Sequence, residues 1–331
     1  MKKSGNTWAA NMNLFRTAIF ILLFIVPPAC KPAILRICCG AQIGRGVSIG
    51  WFSTVMGRHI SIGDHSAIRA LTIINCGGDL SIGRYSIISS FILVYGAAGL
   101  RIGHHSYIGP QSLINTEEEV RIGDWSALGA RCMVYTHGSF LPYTEGYWVR
   151  FAPVVIGNRV WCAAGVFLHP GTTIGDNSFV NSRSVVSGDI PANAIVEGHP
   201  AQVVNTMNRM QRTITPRRLD AIAGQMLCHF LAIATNHGEL RLLSDTPHPL
   251  VQVGRHTYRI VLVPAHGETP AVAPNQPTVW LICRPDWQPA PTQLWLNLIT
   301  YRRSPACAVI LDALCTFLQR YYGIQLEYEE R

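Results

Sequence analysis

Aliphatic residues return at every sixth position through much of this 331-residue chain, and an Ile-Gly pair recurs every 20 residues. The four pairs lie at 62–63, 82–83, 102–103 and 122–123. Within one interval the aliphatic positions are Ile82, Ile88, Val94 and Leu100. Three six-residue steps and a two-residue corner therefore make one unit. After an interruption, the six-residue step resumes at Ile156 and continues to Val186.

A compact residue follows many of these aliphatic residues four positions later: Ser66, Thr72, Ser86, Ser106, Ser112, Ser126 and Cys132. One branched and one compact inward position per hexapeptide describe a short strand that lines a narrow triangular prism. Hexapeptide periods are typical of parallel β-helices, in which no coil buries its apolar face alone and stacking supplies the core. Ordinary buried strands also give apolar runs, but they would not keep one phase for so long. The sequence predicts a mainly β fold built on a parallel β-helix.

The register divides the chain into three parts: residues 1–40, the β-helix at 41–204, and a C-terminal region at 205–331. In the C-terminal region, helix-like spacing predicts a helix over 217–234 that Gly238 ends, and a second helix over 304–322 that Gly323 closes. Between Pro-rich turns, strands are expected at 239–243, 258–263 and 279–283. This is the pattern of a small α+β domain. We recognise no catalytic motif in it.

The first 40 residues are both basic and apolar, because Lys2, Lys3 and Arg16 precede an apolar run at 18–26. This run is shorter than the roughly 20 residues that a membrane-spanning helix needs. A cleaved signal peptide is disfavoured because residues 27–30 make a poor cleavage site. We expect a short helix lying on the inner membrane face or against the end of the β-helix. The basic flank favours the membrane.

The net charge of the chain indicates which kinds of partner it can bind. The net charge of +8 suits an anionic partner such as a phosphorylated cofactor, an acidic glycan or a membrane surface. Nucleic acid is disfavoured, since the basic residues are scattered and no binding motif is present.

The ten cysteines include no CxxC spacing, which argues against a zinc site or a redox pair. Their usage indicates a reducing compartment, the bacterial cytoplasm.

The interruption of the register is the strongest local sign of chemistry. From Ile122 to Ile156 is 34 residues, which leaves about sixteen beyond one coil for an excursion between 136 and 153. Loops that leave a rigid scaffold commonly carry function. The polar and aromatic residues of this excursion are His137, Tyr143, Glu145, Tyr147, Trp148 and Arg150.

Four motifs within 41–204 resemble one family. They are Ala152–Trp161, Leu168–Asp176, Ser184–Pro191 and the closing Gly198-His199-Pro200-Ala201. The chain resembles the hexapeptide-repeat acyltransferases, in particular the sugar O-acetyltransferases of the galactoside, maltose, nodulation-factor and colanic-acid type. The resemblance implies a left-handed parallel β-helix. It also implies direct transfer of an acetyl group from acetyl-CoA to a hydroxyl, with no covalent enzyme intermediate and no metal.

The resemblance places the catalytic histidine of the family at His137. An imidazole suits this reaction because it can take the hydroxyl proton at neutral pH. Asn115 matches an asparagine that hydrogen-bonds the acceptor, although asparagine is also common at β-helix corners for its backbone tolerance. The family stabilises the oxyanion with a backbone N–H, which here points to Ala164. Glu145 is a weaker candidate to orient the histidine.

The cofactor site that the resemblance implies is a groove between adjacent β-helices of a homotrimer. Trp161, Ala164, Ser182 and Ser187 occupy positions that match the family. The basic residues that the family carries near the end of the motif are replaced here by Gly188 and Gln202. The candidates that remain to bind the CoA phosphates are Arg183, Arg209 and Arg212.

The functional hypothesis is therefore a homotrimeric, acetyl-CoA-dependent O-acetyltransferase with a saccharide acceptor. An envelope or capsular polysaccharide, or its precursor, would account for a cytoplasmic enzyme with peripheral inner-membrane contact through residues 1–40. An amino-sugar N-acetyltransferase is a close variant, and a non-enzymatic β-helix scaffold at the membrane is the alternative of another class. A γ-type carbonic anhydrase is disfavoured, since it needs two histidines five residues apart and Pro142 follows His137 at that spacing.

Overall fold

The computed structural model describes residues 16–139, 141–271, 276–287, 289–290 and 292–329; the predicted basic residues Lys2 and Lys3 lie outside them. The chain divides into two compact units, Met1–Arg212 and Thr213–Arg331. The division comes later than the predicted boundary at 204. The reason is that β26 (Ala201–Thr206) turns back onto β25 (Ala194–Gly198) as an antiparallel partner, and a short helix, α3 (Met207–Met210), follows it.

The first unit contains the predicted left-handed parallel β-helix, whose short strands form three sheets, or faces. The first face consists of β1 (Gln42–Ile43), β4 (Ile60–Ile62), β7 (Leu80–Ile82), β10 (Leu100–Ile102), β13 (Val120–Ile122), β18 (Val154–Ile156), β21 (Thr173–Ile174) and β24 (Asp189–Ile190). The second face consists of β2 (Ser48–Ile49), β5 (Ala67–Ile68), β8 (Ile87–Ile88), β11 (Tyr107–Ile108), β14 (Ala127–Leu128), β19 (Trp161–Cys162), β22 (Phe179–Val180), β25 and β26. The third face consists of β3 (Thr54–Met56), β6 (Ile73–Cys76), β9 (Leu93–Gly96), β12 (Leu113–Asn115), β15 (Met133–Val134), β20 (Phe167–Leu168) and β23 (Val185–Val186).

Three edges join these faces. The first edge lies between the first and second faces, the second edge between the second and third, and the third edge between the third and first. Apart from the antiparallel pair β25–β26, each face is a parallel ladder in constant register, so that Ile102 pairs with Ile82 on one side and with Ile122 on the other. The side chains that repeat every six residues point inward and are buried in one continuous core.

The compact inward residues do more than save space, because their hydroxyls bond successive coils together. Ser106 Oγ donates to the Gly123 carbonyl at 2.8 Å and accepts from the Ser126 N–H at 3.2 Å. The same pair of bonds recurs at Ser66, Ser86 and Ser126. These buried hydroxyls satisfy corner groups that no strand ladder reaches, which is the condition for burying them.

The glycine of each Ile-Gly pair is required by the closeness of the coils. A Cβ atom at Gly83 would meet the backbone of Gly103 in the next coil, closer than non-bonded atoms approach. The glycines of the 20-residue Ile-Gly repeat therefore mark the positions at which the backbones of successive coils are in direct contact.

The outward side chains differ between the faces. The first face is largely polar, with Gln42, Ser61, Ser81, Arg101, Arg121, Val155, Thr173 and Asp189 in line. The third face presents an apolar column made of Ile73, Leu93, Leu113, Met133, Phe167 and Val185. The second face carries Ile87, Tyr107, Trp161 and Phe179 among smaller residues. Two faces of the prism are thus suited to burial and one to water.

The N-terminal segment closes the start of the prism. It consists of α1, helical at 16–25, a 3-10 turn at Pro28–Cys30 and α2 (Lys31–Cys39). Ile19, Leu23 and Leu35 are buried in the same cluster as the first coil. Of the two predicted placements, packing against the end of the β-helix is therefore present. No helix in the described residues is long and apolar enough to cross a membrane.

The second unit is the predicted α+β domain. Its helices are α4 (Pro216–Asn236) and α5 (Val309–Tyr322). Its mixed sheet runs in the order β27 (Arg241–Ser244), β28 (Leu250–Val253), β29 (His256–Val263), β30 (Thr278–Ile282), β31 (Leu294–Asn297), β32 (Arg302–Arg303) and β33 (Glu327–Tyr328). Helix α5 begins five residues later than predicted. The reason is that the Ser304 N–H donates to Trp295 O and the Ser304 hydroxyl donates to Gln293 O, which holds Ser304 against the sheet. Both glycines predicted to end the helices, Gly238 and Gly323, adopt positive φ there.

We expect Ser106→Ala to destabilise the β-helix by about 1–3 kcal/mol, because it leaves a buried carbonyl and a buried N–H without their partner. Ser81→Ala is the matched control, since Ser81 points outward from the first face, and it should change stability by less than about 0.5 kcal/mol. Urea unfolding followed by circular dichroism measures both. Equal effects of the two substitutions would show that the inward hydroxyls add nothing.

Candidate active site

The excursion leaves the third edge of the prism between β15 and β18 and is fixed at its base. Its two ends form a short antiparallel ladder, β16 (His137–Gly138) with β17 (Arg150–Phe151), and a 3-10 turn at Tyr143–Glu145 lies between them. His137 stands directly opposite Phe151, and their rings stack with centroids 5.7 Å apart. The Ala152 N–H also donates to Thr136 O at 3.0 Å. His137 is therefore held by the scaffold and does not lie at the tip of a loop.

Asn115 on the preceding coil holds the imidazole. His137 Nδ1 lies 2.9 Å from Asn115 Oδ1, and the Thr136 hydroxyl lies 2.8 Å from the same oxygen. Asn115 has no exposed surface, so its side chain is fixed by its surroundings. The structure thus joins two residues that the sequence analysis had assigned separately.

The neighbours of Asn115 determine the tautomer of His137. The Glu117 N–H lies 3.4 Å from Asn115 Oδ1, and a backbone N–H can only donate, so the atom facing His137 is the amide oxygen. An oxygen can only accept, so neutral His137 carries its proton on Nδ1. The Nε2 lone pair is then free to accept a proton, as general base catalysis requires. Glu145, the other candidate for this orienting role, is exposed on the 143–145 turn.

The second edge carries most of the residues predicted for the cofactor. Trp161 is 58% exposed beside Phe179, with ring centroids 5.0 Å apart. Ala164, Ser182 and Arg183 are exposed at the corners of two successive coils. The Arg183 N–H donates to Ala164 O at 2.9 Å. Within the described residues the Ala164 N–H itself has no hydrogen-bond partner, which is the state expected of an oxyanion donor.

One chain does not bring its two sets of predicted residues together. His137, Asn115 and Ser187 lie at the third edge, whereas Trp161, Ala164, Ser182 and Arg183 lie on or beside the second edge. The width of the third face separates the two edges, about 16 Å for five extended residues. The other two phosphate candidates lie beyond the coils, Arg209 in α3 and Arg212 just after it, and both are exposed.

Three basic residues that the sequence analysis did not assign, Arg150, His169 and His199, lie in the part of the chain that follows His137. Arg150 and His169 lie at the third edge, and His199 lies in the turn between β25 and β26. The Arg150 guanidinium rests against Gly171, where an added Cβ would lie 2.6 Å from Nη2. Burial, Arg150 and His199 all lower the pKa of His169. His199 belongs to the closing motif Gly198-His199-Pro200-Ala201, which the sequence analysis used only for the family resemblance.

Two further features of the described residues concern metal-binding groups and cavities. No group of three or more His, Cys, Asp or Glu side chains in the described part of the chain could hold a metal ion. A cavity of about 520 Å³ lies in the second unit between α4, α5 and β28, and none of the predicted site residues lines it.

Comparison with known proteins gives acetyltransferases. No family model matches the chain. The galactoside O-acetyltransferase of Escherichia coli is 45% identical over 56 residues, which are 17% of this chain and 28% of that protein. A putative colanic acid biosynthesis acetyltransferase of Escherichia coli is 40% identical over 67 residues, which are 20% of this chain and 37% of that protein. The chain thus spans about a third of the length of these relatives.

Two solved structures with partial similarity to the chain are also named acetyltransferases. A hexapeptide-repeat acetyltransferase from Vibrio cholerae is 28% identical, with a TM-score of 0.36, over 38% of this chain and 73% of that one. A maltose O-acetyltransferase from Clostridium difficile is 27% identical, with a TM-score of 0.35, over 40% and 70%. The resemblance predicted from the sequence motifs, to the hexapeptide-repeat acyltransferases of the sugar O-acetyltransferase type, is confirmed by the curated relatives.

We expect NMR correlation of the imidazole nitrogens to show neutral His137 with its proton on Nδ1; loss of the signals in His137→Gln identifies them. Asn115→Leu should abolish this preference, because it removes the acceptor at 2.9 Å. Asn75→Leu is the control, since Asn75 is exposed at the equivalent position two coils earlier. A proton on Nε2 in the unsubstituted protein would contradict the assignment.

Proposed function

We propose that the protein transfers an acetyl group from acetyl-CoA directly to a hydroxyl of a saccharide, with His137 as the general base. The observation that carries the proposal is the Asn115–His137 hydrogen bond, which leaves Nε2 as a proton acceptor at the base of the excursion. The names of the relatives support the reaction class, and the geometry supports His137 as the base.

Each residue then has a defined task. His137 Nε2 takes the hydroxyl proton while the hydroxyl oxygen forms its bond to the thioester carbonyl carbon. The Ala164 N–H donates to the oxyanion of the tetrahedral intermediate. When the carbon–sulfur bond breaks, His137 returns the proton to the departing thiolate. Asn115 keeps Nδ1 protonated throughout, and in this role it is a positioning residue as well as the predicted contact to the acceptor.

The residues of the second edge fit a thioester donor with a long arm. Trp161 offers an exposed aromatic face, Ser182 offers a hydroxyl, and Arg183 offers a cation for a phosphate. Ser187 lies at the other edge, where it would contact the cofactor only across a groove between two β-helices. The donor site is therefore best explained by two chains.

A homotrimer supplies such a groove. The apolar outward columns of the second and third faces favour contact with neighbouring copies, and the polar first face favours solvent. In a closed ring of three chains, the third edge of one copy can meet the second edge of the next. His137 would then lie beside Ala164 of another chain, which the 16 Å separation within one chain does not allow.

The acceptor we propose is an envelope or capsular polysaccharide or its precursor. Two of the relatives are named for colanic acid and lipopolysaccharide biosynthesis. The exposed apolar residues of the first unit include Ile21, Leu22 and Ile25 on the outer side of α1. Peripheral contact of this helix with the inner membrane would keep a cytoplasmic enzyme near a lipid-linked precursor.

We expect His137→Ala to lower the rate of acetyl transfer by about 10²- to 10⁴-fold, because the base is lost. Binding of acetyl-CoA, measured by calorimetry, should change little. The rate is followed as release of free CoA with a panel of galactosides and maltose. His59→Ala is the control, since His59 is exposed on the same edge of an earlier coil and should leave the rate unchanged. Full activity of His137→Ala would contradict the proposed mechanism.

A mixed trimer tests the shared site. His137→Ala lacks the base, and Ala164→Trp blocks the donor edge, so each variant alone should be inactive. When the two are coexpressed with different tags and purified through both, every mixed ring contains one intact site and should show about a third of the wild-type activity. A complete absence of recovery, with folded trimers confirmed by sedimentation, would place the site within one chain.

A further inference from the structure

The two-strand ladder at the base of the excursion has two sides. His137 and Phe151 face each other as one pair, and Gly138 and Arg150 form the next pair. Because side chains alternate along a strand, Arg150 points to the side opposite the His137 ring. His137 reaches the preceding coil through Asn115, whereas Arg150 reaches the following coil at Gly171.

The Arg150 guanidinium lies in a notch above a tight turn. Gly171 has a φ of +77°, and the Thr172 N–H donates to His169 O at 3.2 Å. Any side chain at Gly171 would displace Arg150, since a Cβ there would lie 2.6 Å from Nη2. The turn therefore provides the space under the guanidinium, and His169 lies at its start.

Within the described part of the chain, the positive charge of Arg150 is not compensated. Arg150 has no ion pair with a carboxylate among the described residues, whereas Arg101 and Arg121 both pair with Glu119. His169 is partly buried, and its pKa is lowered first by that burial and then by the nearby Arg150 and His199. These three residues come from three separate segments: the excursion, the following coil and the β25–β26 turn. A guanidinium without a carboxylate partner leaves a field that an anion would neutralise, and imidazole N–H groups near it can donate hydrogen bonds to the same anion.

We propose that Arg150, His169 and His199 form an anion-binding subsite that takes a carboxylate or phosphate group of one of the two substrates. The proposal rests on the proposed function for its substrates. A planar guanidinium matches the two oxygens of a carboxylate or phosphate, and imidazoles beside it add further donors. The coils of Asn115 and Gly171 are two rungs apart, about 10 Å. A substrate reacting at His137 can therefore place a charged group of its own at Arg150.

Two sources of the anion are distinguishable by kinetics. S-acetylpantetheine carries the same thioester as acetyl-CoA but has no phosphates, so it tests the donor. A neutral glycoside and a glycoside that contains a uronate differ by one carboxylate, so this pair tests the acceptor. If the anion is a phosphate of acetyl-CoA, Arg150→Gln should reduce the preference for acetyl-CoA over S-acetylpantetheine by about 10- to 100-fold, the range of a charge-assisted hydrogen bond. If it belongs to the acceptor, the same loss should appear in the preference for the uronate. Arg150→Lys should restore part of either preference.

Arg58→Gln is the matched control, since Arg58 is exposed on the same edge several coils earlier, and it should change neither preference. A second measurement does not depend on catalysis: titration of the whole protein with inorganic phosphate should shift the imidazole NMR signals of His169 and His199, and Arg150→Gln should weaken that response. Failure of phosphate to move these signals, or unchanged preferences in Arg150→Gln, would overturn the subsite. If acetyl transfer is absent while phosphate binds, the proposed function fails and the subsite stands.

Discussion

The close stacking of one coil on the next is the constraint on which the whole first unit depends. Neighbouring strands in each face keep the same register along the prism, and the register continues past the excursion, so that Ile122 pairs with Ile156 across an insertion in the chain. Glycine at the first edge and a hydroxyl at the inward corner follow from the same closeness. Because the inserted residues leave and return at one corner, the chain gains a long loop without disturbing a single rung.

That constraint explains how a loop residue can be positioned as accurately as a core residue. His137 lies outside the prism, yet its ring is bonded to Asn115, which is completely buried at the end of a rung. The scaffold therefore fixes the direction of the imidazole, and the Glu117 N–H fixes the polarity of the amide that holds it. In the proposed mechanism, this arrangement would set the reactive tautomer of His137 before a substrate binds.

The sequence predicted the parts of the structure that repeat and little of what occurs once. The six-residue period gave the prism, the inward residues and the position of the excursion. It could not give the hydroxyl bonds of Ser106, since a compact inward residue is consistent with packing alone. In the second unit β28, β31, β32 and β33 were not predicted, because strands of two to four residues show little alternation; of the strands this short in that unit, only β27 was expected. The contact of Arg150 with Gly171 depends on side-chain direction in a non-repeating segment, and no period encodes that.

In the excursion, a very short ladder is enough to direct side chains of one loop to two different coils. Two residue pairs suffice, because alternation along β16 and β17 turns one pair toward the preceding coil and the next pair toward the following coil. The first direction ends at a buried amide and gives a proton acceptor. The second ends at a glycine turn and gives a guanidinium that has no carboxylate partner in the described part of the chain. A shift of the ladder by one residue would exchange these directions, so the Ala152 N–H bond to Thr136 O, which fixes that register, matters to both sites.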